Sequence, residues 1–172
     1  MFATLHNCVI RNNKAIYQAS NQRGGGIIRG SAYNSLIEGN VAGTGGGGWN
    51  TILYNCTIVN NTGSSKSSGT YQCTLYNCIS WNNVDYENSV AYYSRGDEDL
   101  YLTNNCTQAD PLFIDAENGD WRLRGSSPCI DTGTNQTWMT TARDLDGRPR
   151  LNSAPDMGCY EYWPQATMLI MH

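Results

Sequence analysis

The side chains best suited to chemistry in this sequence are aromatic, and they recur at a regular interval. Tyr33, Tyr54 and Tyr76 stand 21 and 22 residues apart, with His6 before them and Asn104 after them in the same place. Trp81 falls in a neighbouring column with Arg11 and Glu38, which could flank the tyrosines. An outward row of ring faces suits stacking against the apolar faces of sugars; the same row also suits ring-to-ring packing that only stabilises a sheet. Acidic groups are the second candidates. Asp85, Glu87, Asp97, Glu98 and Asp99 lie in two loops where a lyase or hydrolase would place an acid and a base, or where calcium ligands would stand, although a charged loop is commonly only a solvated one. Asp144 and Asp146 before Gly147 look like the opening of a calcium loop, but the twelfth place from Asp144 is Pro155, where an EF-hand has its glutamate. Arg148 and Arg150 offer these carboxylates ion-pair partners instead, so the reading is an Asp–Arg network with Ca2+ as the alternative. With only His6 and His172 in the chain, no triad of the Ser-His-Asp or Cys-His kind has a credible base, and no catalytic residue is assigned.

The elements that must position these residues are repeats. Asn7, Asn34, Asn55, Asn77 and Asn105 anchor a phrase whose spacings are 27, 21, 22 and 28 residues, the period of a short supersecondary unit. The next column reads Cys8, Ser35, Cys56, Cys78 and Cys106, and two places on stand Ile10, Ile37, Ile58, Ser80 and Gln108. Alternation at period two predicts strands with these columns inward and the tyrosines outward. Asn13, Asn40, Asn61 and Asn83, six places after the first four anchors, read as corners that need positive φ. Stacked Asn columns are expected to bond amide to amide. The tracts Gly24-Gly25-Gly26 and Gly45-Gly46-Gly47-Gly48 are also corners, since no helix follows them to make a phosphate cradle. A period of this length is too short for a propeller blade of about 40 residues, and it fits one coil of a parallel β-helix.

Composition narrows the function classes. At 172 residues, with a net charge of −4 and two lysines, the chain makes a poor partner for nucleic acid or an anionic membrane. It has no run of 18 apolar residues to insert in a bilayer. The four cysteines in the repeat column behave as small inward hydrophobes, and no C-x-x-C suggests zinc. The chain enters its first repeat with no signal peptide or N-terminal cap. The expectation is a fragment of a longer rod, or an intact chain that self-associates through its open end.

From Ala109 the text changes. Ala109-Asp110-Pro111-Leu112-Phe113, Gly119-Asp120-Trp121-Arg122-Leu123, Ser127-Pro128-Cys129-Ile130-Asp131-Thr132-Gly133, Asp144-Leu145-Asp146-Gly147-Arg148-Pro149-Arg150 and Asp156-Met157-Gly158-Cys159-Tyr160-Glu161 follow in order. This ordered set resembles the C-terminal region of bacterial β-helix proteins of the choice-of-anchor Q family, within the pectin-lyase-like superfamily. The resemblance implies an extracellular or cell-surface protein whose rod contacts or processes polysaccharide. Cys129 and Cys159 stand where that family usually has a small residue. The two departures together suggest a disulfide closing a loop of 30 residues, with about 3–4 kcal/mol of stabilisation. Asp110, Asp131 and Asp156 read as turn residues bonded to nearby amides.

The combined expectation is an all-β, right-handed parallel β-helix of about five rungs over 1–108, closed by a C-terminal cap over 109–172. Its function would be a secreted contact surface for polysaccharide or for other surface proteins, without catalysis. The alternative is a polysaccharide lyase or glycoside hydrolase acting on acidic glycans, with part of its site on missing rungs.

Overall fold

Strands form where β-branched and aromatic residues alternate, and those at Thr4–His6, Val9–Arg11, Ile27–Tyr33, Leu36–Glu38, Gly48–Tyr54, Thr57–Val59, Thr74–Tyr76 and Ile79–Trp81 are each followed by an Asn or Gly in left-handed backbone. The computed structural model describes residues 2–15, 22–63, 68–85, 90–91, 101–103 and 109–164. Asn104, Asn105, Cys106 and the acidic residues at 87 and 97–99 lie outside these. The first circuit of the chain is β1 (Thr4–His6), β2 (Val9–Arg11) and β3 (Lys14–Ala15); the second is β4 (Ile27–Tyr33), β5 (Leu36–Glu38) and β6 (Val41–Ala42). The third is β7 (Gly48–Tyr54), β8 (Thr57–Val59) and β9 (Thr62–Gly63); the fourth is β10 (Thr70–Tyr71), β11 (Thr74–Tyr76), β12 (Ile79–Trp81) and β13 (Asn83–Asp85). Two short strands follow, β14 (Val90–Ala91) and β15 (Tyr101–Thr103), and then the hairpin β16 (Phe113–Asp115) and β17 (Asp120–Leu123). Among the described residues there is no α-helix.

Each circuit visits three sheets in turn, and each strand pairs with its counterpart one circuit away. The first sheet has the order β1-β4-β7-β11-β15 with β10 also on β7, the second β2-β5-β8-β12, and the third β3-β6-β9-β13-β14. All these pairings are parallel except β13 with β14. The register sets Leu5, Ala32, Leu53 and Leu75 over one another, and likewise Ile10, Ile37, Ile58 and Ser80. These two columns meet inside, where Ala32, Ile37, Leu53, Cys56, Ile58, Leu75 and Cys78 form one core.

The column Asn13, Asn40, Asn61 and Asn83 is a hydrogen-bonded ladder. Nδ2 of Asn13 donates to Oδ1 of Asn40 at 2.9 Å, that of Asn40 to Asn61 at 3.0 Å, and that of Asn61 to Asn83 at 2.9 Å. Each receiving oxygen also accepts the backbone N–H of the preceding member. The amides of Asn40, Asn61 and Asn83 donate in addition to the carbonyls of Ile10, Ile37 and Ile58. The expectation of positive φ in this column is corrected. The left-handed residues are the anchors Asn7, Asn34, Asn55 and Asn77 and the position just before the ladder, Asn12, Gly39, Asn60 and Asn82. The bend is made one residue early, and the ladder side chain then turns inward from ordinary backbone.

The serine among the cysteines of the next column has a shared reason. Ser35 Oγ and the thiols of Cys8, Cys56 and Cys78 each reach the carbonyl two residues back, so a small donor is what the position requires. The Gly tracts sit directly over one another: Gly24, Gly25 and Gly26 donate to the carbonyls of Thr44, Gly45 and Gly46. A Cβ on Gly47 would lie 2.6 Å from the Gly69 carbonyl oxygen, so close approach rather than turn geometry demands glycine there.

Residues 109–164, expected to form a cap, pack on the described circuits from the side, against the second sheet. Phe113, Trp121, Leu123, Cys129 and Cys159 pack on Leu36, Val59 and Ile79, the residues of β5, β8 and β12 that point away from the inner core.

Replacing Asn61 by Ala strands the backbone and amide N–H groups of Asn40 and the carbonyl of Ile37 in a buried site. At about 1–3 kcal/mol for each buried group left unpaired, the expected loss is about 3 kcal/mol or more in urea unfolding. Asn82→Gly removes an exposed amide contact to Asn60 at a left-handed position and should cost less than about 1 kcal/mol. Equal losses would refute the ladder as a main source of stability.

Candidate contact surface

The first sheet carries the tyrosine column. Its rings stack on one another with centroids 4.6 Å apart for His6–Tyr33, 4.6 Å for Tyr33–Tyr54 and 4.9 Å for Tyr54–Tyr76, nearly parallel in each case. Parallel in-register strands force this, because identical side chains one strand apart sit at about the spacing of stacked rings. Of the two readings of the column, the geometry matches ring-to-ring packing: the faces of Tyr33 and Tyr54 are used on each other, and edges and hydroxyls point outward. Trp138, in a 3-10 turn at Thr137–Thr140, covers part of the column edge-on, 5.0 Å from Tyr33 and 6.3 Å from Tyr54. Partial burial pushes the Tyr54 hydroxyl above its ordinary value, and the neighbouring hydroxyls of Tyr33 and Tyr76 add to this.

Trp81 is corrected too. It lies in register with Val59, Glu38 and Arg11 on the second sheet, half-buried under the C-terminal layer, and does not flank the tyrosines on an exposed face.

What the first sheet does expose is a second row and a distant cluster. Thr4, Ser31, Ile52 and Thr74 form an outward row of small polar residues broken by Ile52, itself 41% exposed. At the far end of the same strands Ile28, Trp49 and Tyr71 are in register. The guanidinium carbon of Arg23 lies 4.6 Å from the Trp49 ring centroid, and that of Arg29 lies 5.6 Å from it and 6.0 Å from Phe2. Sequence reasoning missed this cluster. Its signal was available, since Ile28, Trp49 and Tyr71 each precede an anchor Asn by six residues.

The anchor asparagines bond mainly to the C-terminal layer; along their column Asn77 Nδ2 donates to Asn55 Oδ1 at 3.3 Å. Nδ2 of Asn7 donates to the carbonyls of Arg143 and Asp144, Asn34 to Arg143, Asn55 to Asp156, and Asn77 to Thr134, whose N–H it accepts in return. Gly158 presses on the second sheet, where a Cβ would stand 2.7 Å from Thr57 Oγ1 and 2.8 Å from Ile79 Cδ1.

The carboxylates of this layer are engaged internally. Asp144 is buried, with Oδ1 accepting Arg148 N–H at 2.7 Å and Oδ2 accepting Glu161 N–H at 2.8 Å. Both oxygens of Asp146 take the Arg122 guanidinium, at 2.7 and 3.1 Å. The two carboxylates thus serve separate partners. Among the described residues no group of three or more His, Cys, Asp or Glu is placed to hold a metal. The Asp–Arg network exists with different pairing: Asp146 takes Arg122, and the buried Arg150 guanidinium lies 2.8 Å from the Glu161 carboxyl. Asp110 accepts Leu112 N–H as a turn residue should, whereas Asp156 accepts the N–H groups of Asp131 and Tyr162, 25 and 6 residues away, and so joins separate segments instead of closing a local turn. Cys159 carries a buried free thiol, pushed up to about 12 by desolvation, so the expected disulfide with Cys129 is not formed. Both residues pack in the same apolar cluster, where they act as small hydrophobes.

Compared with known proteins, the chain matches no family model, no curated protein and no solved structure.

Tyr54→Ala should destabilise by about 2–3 kcal/mol, since it empties the middle of the stack, while Tyr54→Phe, which keeps the ring, should cost less than about 1 kcal/mol. Chemical denaturation decides; equal losses would mean the hydroxyl, and not the ring, carries the column. Burial pushes the Glu161 carboxyl from 4.5 to about 8 against the lowering pull of Arg150, and Asp156 also moves up. The folded state therefore holds protons that the unfolded state has released. This stabilisation is full below about 4.5 and lost as pH rises through about 8. The melting temperature should fall from pH 5 to pH 8.5, and fall less in Glu161→Gln. A wild-type rise absent from that variant would show Glu161 ionised throughout.

Proposed function

We propose that the circuits are rungs of a right-handed parallel β-helix, of the kind that carries a choice-of-anchor Q type C-terminal region. In this reading the protein acts outside the cell or on a bacterial surface as a non-catalytic contact module for polysaccharide. The observation that carries the reading is the difference between the two long walls. The C-terminal layer covers Leu36, Val59 and Ile79 of the second sheet, whereas the first leaves a row of hydroxyls, Ile52 and the edges of stacked tyrosines facing outward. Such a wall can lie along an extended, hydroxyl-rich chain through many weak contacts. The buried carboxylates support the non-catalytic part, because Asp144, Asp156 and Glu161 spend their oxygens on backbone amides and arginine.

The test is incubation with a panel of neutral and acidic polysaccharides, following gel retardation and new reducing or unsaturated ends together. Retardation without product is expected. Ile52→Glu, which sets a carboxylate on the exposed row, should weaken it by about fivefold or more at unchanged melting temperature. Product formation would overturn the reading in favour of a lyase or hydrolase.

A further inference from the structure

The Arg23–Trp49–Arg29 cluster has three features that wall-building does not explain. Trp49 is only 7% exposed although it stands on the outer face, and its Nε1 has no hydrogen-bond partner. Two guanidinium groups lie over its ring, and both belong to exposed residues. Arg29 also holds φ at +55°, in a column whose other members are Asn50 at +51° and Gln72 at +53°. Asparagine is the easy occupant of such a bend, and arginine there is strained.

A guanidinium lying over an indole uses its face and leaves its N–H edge directed sideways, ready for a carboxylate or sulfate. No carboxylate among the described residues is paired with either arginine. The indole holds both cations in place, so little side-chain freedom is lost when an anion arrives. We propose that Arg23 and Arg29, held over Trp49, form a receptor for the anionic groups of an acidic glycan lying along the first sheet. This rests on the polysaccharide-contact reading above and adds the charge class of the ligand.

The experiment uses three polymers of one backbone, dextran, carboxymethyl-dextran and dextran sulfate, with poly-glutamate as a fourth probe. The proteins are wild type, Arg23→Gln and Arg29→Asn. Asparagine suits the left-handed bend, so Arg29→Asn should melt at or above the wild-type temperature and report on the guanidinium alone. The charged dextrans should retard the wild type more than dextran does. This excess should fall about tenfold in each variant and weaken from low to high salt. Which charged polymer is the stronger tells carboxylate from sulfate. Retardation by dextran alone, or retardation unchanged in both variants, overturns the anion receptor while leaving the contact surface standing. Retardation by poly-glutamate with none by the charged dextrans overturns it in favour of an acidic protein partner. No retardation by any glycan, here or in the wider panel, removes the contact reading as well.

Discussion

A chain that turns every few residues around a narrow interior must hydrogen-bond its backbone at each corner without water, and the asparagine ladder is how this protein does it. The asparagine amide carries the carbonyl acceptor of a peptide group and an NH2 with two donors where the peptide has one N–H. Asn61 shows the full use: its oxygen takes two donors from Asn40, and its nitrogen serves the Ile37 carbonyl and Asn83. The strand spacing that lets amides bond along the stack also brings Gly47 against Gly69 and tyrosine against tyrosine. A change in one column is therefore felt in the others, because all share one repeat distance.

The three sheets differ in what lies outside them. In β8 the residues pointing outward are Thr57 and Val59, and both are buried; in β11 they are Thr74 and Tyr76, and both are half-buried. The C-terminal layer accounts for the difference. It settles on the second sheet through Phe113, Trp121 and Leu123 and is stitched to the corner asparagines of four successive circuits. Its own carboxylates tie distant parts of the layer together, Asp144 to Glu161 and Asp156 to Asp131, and acidic residues that looked like chemistry prove to be fastenings. The side left open is where stacked rings, hydroxyls and the arginine pair are displayed.

Much of this was legible in the sequence. Strand positions, the inward Leu and Ile columns, the Cys/Ser column and amide bonding between stacked asparagines all follow from residue types repeated at one interval. A repeat reports which side chains share an environment.

Other properties arise only when segments far apart in the chain meet. The left-handed bend falls one residue before the ladder, because only the folded corner shows which residue turns and which fills the turn. Ring faces were lost to the stack because the register is exact enough to place ring on ring. Asp146 found Arg122 rather than its neighbours Arg148 and Arg150, and Cys159 found an apolar pocket rather than a second sulfur. Sequence determined the repeat and its columns because these are local and periodic. The tertiary structure decided coverage, partners and exposed chemistry, which depend on how an irregular segment docks against a regular one.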